Sequence, residues 1–415
     1  MAKRTGLFAA KDMTQGTPWK RIVQFTVPLL IGNIAQQFYN TADSIIVGRY
    51  IGDNALAAVG SAGPILHLLL VLFVGISVGA SIMVSQYFGA KDREHLSLTI
   101  GTCIVLTGIA SIIIMVVGPL VSRPLLELLN TPASIIDWCS DYLSTFFLGI
   151  AGFSYYNILA GVLRGLGDSF SALLFLLVST VLNVGLDILF VAAFDMGVPG
   201  VALATVIAQS ISAVFCLIKL LKMKEHFDLT WSMLRINRAL SMQVIKLGLP
   251  SGLTQAIFSM AMIVVQSLTN SFGEMVIAAH VIIMRVDGFA MMPNFSFGNA
   301  MTTFTGQNMG AKRMDRVDEG TKHGVAMAVG VSTAITILLL LFGHHLMMVF
   351  TDTPELVDFS VRMLRILAFG YIAVAVTQTL SGVMRGAGDT LTPMWISLIV
   401  TVGLRVPIAY GLAYA

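Results

Sequence analysis

The sequence predicts an all-α polytopic membrane protein made of two parallel six-helix repeats, with the twelfth helix missing from this chain. Three observations carry this reading. Only 11% of the 415 residues are charged while 56% are hydrophobic, and mean hydropathy is +0.85; a water-soluble domain carries roughly 25% charged residues. Apolar runs long enough to cross a bilayer recur along the chain. The second half of the chain repeats landmarks of the first in the same order. This composition excludes soluble enzymes, nucleic-acid binders, disordered chains and disulfide scaffolds.

A spanning helix needs about 20 mostly apolar residues. After a polar tail over residues 1–19 with no cleavable signal pattern, eleven such runs follow. They lie near 22–50, 60–88, 97–122, 142–163, 169–194, 200–221, 244–272, 276–306, 324–350, 361–384 and 390–415. None shows the short-period alternation of a membrane strand. Lys and Arg set the orientation. With the N-terminus in the cytoplasm, most of the 25 basic residues fall inside: Lys3, Arg4, Lys20 and Arg21 first, then the Lys219–Lys246 stretch, and Lys312, Arg313, Arg316 and Lys322. The outer loops carry Asp195, Glu274, Asp352, Glu355 and Asp358. The expected place is therefore the cell membrane. Cys103, Cys139 and Cys216 have no metal or disulfide spacing and read as packing residues.

Gln86-Tyr-Phe-Gly-Ala-Lys91 recurs as Gln307-Asn-Met-Gly-Ala-Lys312, 221 positions later. Leu159-Ala-Gly-Val-Leu-Arg-Gly-Leu-Gly-Asp168 recurs as Leu380-Ser-Gly-Val-Met-Arg-Gly-Ala-Gly-Asp389 at the same separation. Thr131-Pro132 matches Thr353-Pro354, and Pro28 matches Pro250, at 222. The repeat spans an even number of helices, so both copies cross the membrane in one direction, as parallel repeats do. The expected domains are a 1–19 tail, a 20–222 lobe of six helices, a 223–243 cytoplasmic linker and a 244–415 lobe of five. Ala415 aligns with Phe194, so the counterpart of helix 200–221 is absent and a twelve-helix parent is expected.

The repeated Arg164-Gly-Leu-Gly-Asp168 motif lacks the spacing and lysine of a phosphate loop. Its glycines suit a tight turn and Asp168 can cap the next helix. Gly89-Ala-Lys91 and Gly310-Ala-Lys312 read as helix ends with a cation at the dipole's negative end.

Burying a carboxylate in hydrocarbon is costly, so intramembrane acids are functional candidates. Asp43, Asp187 and Asp287 are such acids. The first span sets Gln36, Tyr39, Asn40 and Asp43 on one helix face, and the fifth sets Thr180, Asn183 and Asp187 on another. Asp43 lies roughly 9 Å from the outer end of its span and Asp187 roughly 12 Å, at 1.5 Å per residue. Asn157 and Thr205 can add neutral oxygens. The repeat supplies a control: Asp43 corresponds to Val264 or Val265, Asn183 to Leu404 and Asp187 to Ile408. The acids occur in one copy only, which a structural role in each bundle does not predict. They are read as an ion-coupling pair, taking up H⁺ or, with Asn183, ligating Na⁺ as a metal site. Asp287 and Arg405 read as an ion pair that gates or contacts substrate. No cofactor is expected.

Phe38-Tyr-Asn-Thr-Ala-Asp-Ser-Ile-Ile-Val-Gly-Arg49, Gly89-Ala-Lys91, Val162-Leu-Arg-Gly-Leu-Gly-Asp168 and Gly306-Gln-Asn-Met-Gly-Ala-Lys312 resemble the multidrug and toxic compound extrusion (MATE) family, from about Trp19 to Ala415. The resemblance implies efflux of organic, often cationic compounds in exchange for H⁺ or Na⁺, by alternating access of two lobes in a V around a central cavity. It also implies a DinF-like branch, with Asp43 as its first-helix acid, Asn183 and Asp187 as its fifth-helix pair, and Gln36, Tyr39, Asn157 and Thr205 as supporting positions. The segment after Pro250 holds no acid, unlike the seventh-helix glutamate of the NorM-like branch. The expected protein is a monomeric antiporter, not an enzyme, since no nucleophile–base constellation appears. Its partners are small-molecule substrates and lipid, not nucleic acid. The alternative is a lipid-linked precursor flippase of related architecture, which needs a more basic cavity than the few intramembrane arginines provide.

Overall fold

A computed structural model describes residues 11–129 and 131–414, without the side chains of residues 64, 67–69, 72 and 414. Lys3 and Arg4 of the expected tail lie outside the described residues. Thirteen α-helices appear among them and no strand: α1 Pro18–Tyr50, α2 Asp53–Ala90, α3 Arg93–Leu128, α4 Ile136–Leu148, α5 Ile150–Gly165, α6 Ser169–Asp187, α7 Gly197–Leu221, α8 Arg238–Asn270, α9 Glu274–Gly310, α10 Met314–Met348, α11 Pro354–Ala387, α12 Leu391–Leu398 and α13 Val406–Tyr414. This is a multi-pass, all-helical membrane protein. Helices such as α2, with 38 residues, run to about 57 Å at 1.5 Å per residue, longer than the roughly 30 Å hydrocarbon core.

Several expected runs differ in detail. The 142–163 run is two helices, α4 and α5, bent by 55°. They meet at Gly149, where an added Cβ would collide with the Val206 side chain of α7. The fifth run continues past α6 as a π-helical segment, Ile188–Ala193, and the last run is α12 and α13 joined by a π-helical segment, Ile399–Arg405. Among the described residues nine helices are long and apolar enough to cross a membrane, ten with the bent pair counted as one. α1 falls short of that test because Asn33, Gln36, Gln37, Asn40 and Asp43 dilute its apolar content.

Local chemistry explains the ends. Asp92 caps α3 by accepting from His95 N at 3.0 Å. α2 and α9 stop at the repeated Gly-Ala-Lys, but the left-handed residues that follow are Lys91 and Lys312, both at φ 56, rather than the glycines. Asp168 caps α6, accepting from Ser171 N at 2.9 Å and Ser171 Oγ at 2.7 Å, as the motif predicts. The three cysteines are free and buried.

By contact the chain forms two compact units. One includes Ile31–Gly252, and the other Met13–Leu30 with Leu253–Ala415. The divisions fall inside α1 and α8, near Pro28 and Pro250, rather than in the 223–243 linker. A proline within a helix removes one backbone hydrogen bond and weakens continuity there.

The repeat is visible inside each unit. In the first, Gly161 and Gly165 of α5 lie against α2, with a Cβ on Gly165 falling 2.7 Å from Ser81 O. In the second, Gly382 and Gly386 of α11 lie on α9, where a Cβ on Gly382 would sit on the Gly298 carbonyl oxygen. Small residues let membrane helices approach to backbone contact, and the four positions match at a separation of 221.

The matched capping acids differ in setting. Asp168 is 1% exposed and pairs with Lys219 Nζ of α7 at 3.3 Å. Asp389 is exposed and accepts from Thr392 N at 2.9 Å. The Thr392 hydroxyl and then its amide hold the Asp389 carboxyl below the usual carboxylate range. This cap's contribution is therefore present above the unfolded-state value and lost as pH falls through the lower folded one. Asp168→Ala is expected to cost about 2–3 kcal/mol, because it strips both a cap and the partner of a half-buried ammonium. Asp389→Ala should cost about 1 kcal/mol. Thermal unfolding of the purified variants checks the order; equal shifts would contradict it.

Candidate functional site

α1 brings Tyr39 and Asp43 to the same face, one turn apart. α6 ends at Asp187, with Asn183 one turn before it, and α7 supplies Thr205. All belong to the first unit. The Asp43 and Asp187 carboxyls come within hydrogen-bonding reach of each other. Asn183 and Asp187 are fully buried.

The Asn183 amide is oriented by its neighbours. Its Nδ2 donates to Asp187 Oδ2 at 2.9 Å, and its oxygen accepts from Thr205 N at 3.2 Å and Thr205 Oγ1 at 3.3 Å. The Thr205 hydroxyl proton is thus engaged, so at the 3.1 Å contact between the two hydroxyls Tyr39 is the donor and Thr205 Oγ1 the acceptor. Donation runs one way, from Tyr39 through Thr205 and Asn183 to Asp187. At its end, Asp187 Oδ1 and Asp43 Oδ1 are buried with no hydrogen-bond partner. Two carboxylates at this separation repel in a low dielectric, and one positive charge between them relieves that repulsion. The donor set of carboxylate, amide and hydroxyl oxygens suits a proton or a hard monovalent cation.

Three expected members do not join this cluster. The Asn157 amide donates to Phe153 O at 2.9 Å and the Thr180 hydroxyl to Leu176 O at 2.9 Å, each within its own helix. Gln36 donates to Asn40 Oδ1 at 3.4 Å on an exposed face. Spacing placed these residues on the right helices, but the Asn157 amide and the Thr180 hydroxyl turn back to the carbonyl four residues earlier, and Gln36 pairs with the Asn40 side chain one turn on.

Sequence reasoning missed Tyr142. It is buried on α4 within electrostatic reach of both acids and of Tyr39. The repeat held the signal, because Tyr142 corresponds to Met363 or Leu364 in the second copy, a polar-to-apolar loss like that of the acids.

Asp287 on α9 belongs to the second unit. Its carboxylate accepts a short hydrogen bond from Tyr371 OH of α11. His280 and Arg405 lie within electrostatic reach, but no ion pair between Asp287 and Arg405 forms among the described residues. Arg405 instead rests Nη2 against Met262 Sδ at 3.7 Å. In place of the expected direct pair, the Tyr371 hydroxyl satisfies Asp287 Oδ1.

Comparison with known proteins bears on what such a site does. The MatE family profile matches twice, over residues 28–189 and 250–411, the two copies read from the sequence. The chain is 32% identical over 399 residues to "Probable multidrug resistance protein YpnP" of Bacillus subtilis, covering 96% of this chain and 89% of that protein. It is 30% identical over 404 residues to "Probable multidrug resistance protein YoeA" of the same organism, covering 95% and 87%. A solved outward-facing structure of a multidrug resistance MATE family transporter of the MOP superfamily superposes with TM-score 0.90 at 24% identity, covering 97% of this chain and 90% of that one. That likeness shows the fold.

Proposed function

The chain belongs to the MatE family, and from that premise we propose that it is a secondary-active multidrug exporter of the cell membrane, driven by H⁺ or Na⁺ entering at Asp43 and Asp187. The observation that carries this reading is the buried acid pair of the first unit, two carboxylates in mutual reach, each with one unpartnered oxygen. The names of the B. subtilis relatives support multidrug export.

The cycle follows from charge. With the site open to the outside, an ion enters between the carboxylates and neutralises their repulsion. The ion-loaded and empty forms then favour different conformations, and the ion's unequal affinity for the two states drives the exchange. Tyr39, Thr205 and Asn183 hold Asp187 in place through their one-way hydrogen bonds while Asp43, less deeply buried, faces the incoming ion. Substrates are organic and often cationic, and they leave as the ion loads, because the ion-loaded and substrate-loaded forms favour different conformations. The protein works as a monomer with its N-terminus in the cytoplasm.

Everted vesicles loaded with the protein test the reading. Under an imposed H⁺ gradient or an imposed Na⁺ gradient, one should drive uptake of a cationic dye and collapse of that gradient should release it. Dye movement indifferent to both gradients would reject coupled antiport.

A further inference from the structure

The second unit holds a group that the coupling site does not use. Arg405 closes the π-helical segment between α12 and α13, with its side chain exposed. Its Nη2 lies 3.7 Å from Met262 Sδ of α8, and Met262 is eight residues, roughly 12 Å, inside the end of α8 at Asn270. A guanidinium at this depth is costly against lipid and is placed against water or a partner. Its one polar contact among the described residues is the thioether of Met262. A thioether is a weak acceptor, and the guanidinium presents five N–H donors.

The acid within electrostatic reach of the guanidinium does not consume it. Asp287 is held by the Tyr371 hydroxyl and acts on Arg405 only at a distance, as does His280. The acid therefore offsets part of the positive charge while the planar fork stays free. The repeat again separates function from framework. Arg405 corresponds to Val184, Asp287 to Leu66 or Ile65, His280 to Val59 or Ala58, and Tyr371 to Ile150 or Gly149. All four polar groups are confined to the second copy, as the coupling acids are to the first.

We propose that Arg405 receives a carboxylate or similar planar oxyanion carried by transported compounds, so that zwitterions gain over simple cations built on the same rings. The guanidinium fork matches a carboxylate with two parallel hydrogen bonds, and the adjacent Met262 offers an adaptable apolar surface for the ring system beside it. The proposal rests on the efflux reading above, and its test separates the two.

Rhodamine 123 and rhodamine 110 share one ring system; the first carries an ester where the second carries a free carboxylate. Efflux of both is measured for the unmodified protein and for Arg405→Gln and Arg405→Lys. The glutamine variant is expected to lose rhodamine 110 efflux by roughly tenfold or more, the size of a lost charge-assisted hydrogen bond, while rhodamine 123 efflux persists. The lysine variant should fall between. Equal loss for both dyes would overturn the proposal. A second measurement needs no variant: benzoate should displace rhodamine 110 from the purified protein and leave rhodamine 123 bound. Rhodamine 110 binding indifferent to benzoate would overturn the assignment whether or not the variants fold. Should the unmodified protein export neither dye, the efflux reading fails, while the benzoate competition still decides the role of Arg405.

Discussion

Asp187→Asn is expected to abolish ion-driven export while leaving substrate exchange intact. Asp187 is fully buried, takes the Asn183 amide on one oxygen and leaves the other without a partner. Neutralising it removes the charge that holds a coupling cation and leaves Asp43 as a lone carboxylate. Breaking a buried charge pair costs about 3–5 kcal/mol, so ion affinity should fall by at least roughly 100-fold. Downhill exchange of labelled for unlabelled dye needs no ion gradient and serves as the control for folding. Asp43→Asn should act in the same direction with a smaller loss, because Asp43 is only partly buried and lacks the Asn183 bond. Full gradient-driven export by either variant would remove the pair from the mechanism.

The second large effect lies in the framework. Gly382→Ala should destabilise the second unit by about 3 kcal/mol, at the upper end of overpacking costs. The added methyl would meet the backbone carbonyl of Gly298, which has no rotamer to escape into. Its counterpart Gly161→Ala should cost less, because the backbone oxygen it meets, that of Ser77, is 2.9 Å away, against 2.1 Å for Gly298 O at Gly382. Gly330 on α10 has open space around it, so Gly330→Ala should be neutral or stabilising by up to about 1 kcal/mol. Thermal midpoints of the three variants in one detergent give the comparison. A Gly382→Ala midpoint equal to that of Gly330→Ala would mean that α9 and α11 do not touch as described.

The duplicated architecture was legible in the sequence because it rests on hydropathy and on landmarks that both copies keep, such as the Gly-Ala-Lys helix ends and the Arg-Gly-x-Gly-Asp turns. Helix breaks were not. The bend at Gly149 and the π-helical segments after Asp187 and Leu398 depend on what packs alongside, and an apolar run looks the same whether straight or broken. At the site, the acids were found because a buried charge stands out from its surroundings. Asn157 and Thr180 were placed on the correct helices but spend their hydrogen bonds locally, a competition that spacing does not reveal. Tyr142 was overlooked because an aromatic residue in an apolar helix resembles packing. The copy-to-copy comparison that marked Asp43 and Asp187 would have marked it too.

The central claim is that a cation enters and leaves between Asp43 and Asp187 as substrate moves. Its most direct measurement is release of that cation from the purified protein in weakly buffered solution when a transported dye is added, read with a pH indicator for H⁺ or a selective electrode for Na⁺. Stoichiometric release by the unmodified protein, absent from an Asp43→Asn, Asp187→Asn double variant that still binds dye, is the predicted result. Undiminished release from that double variant would contradict the account.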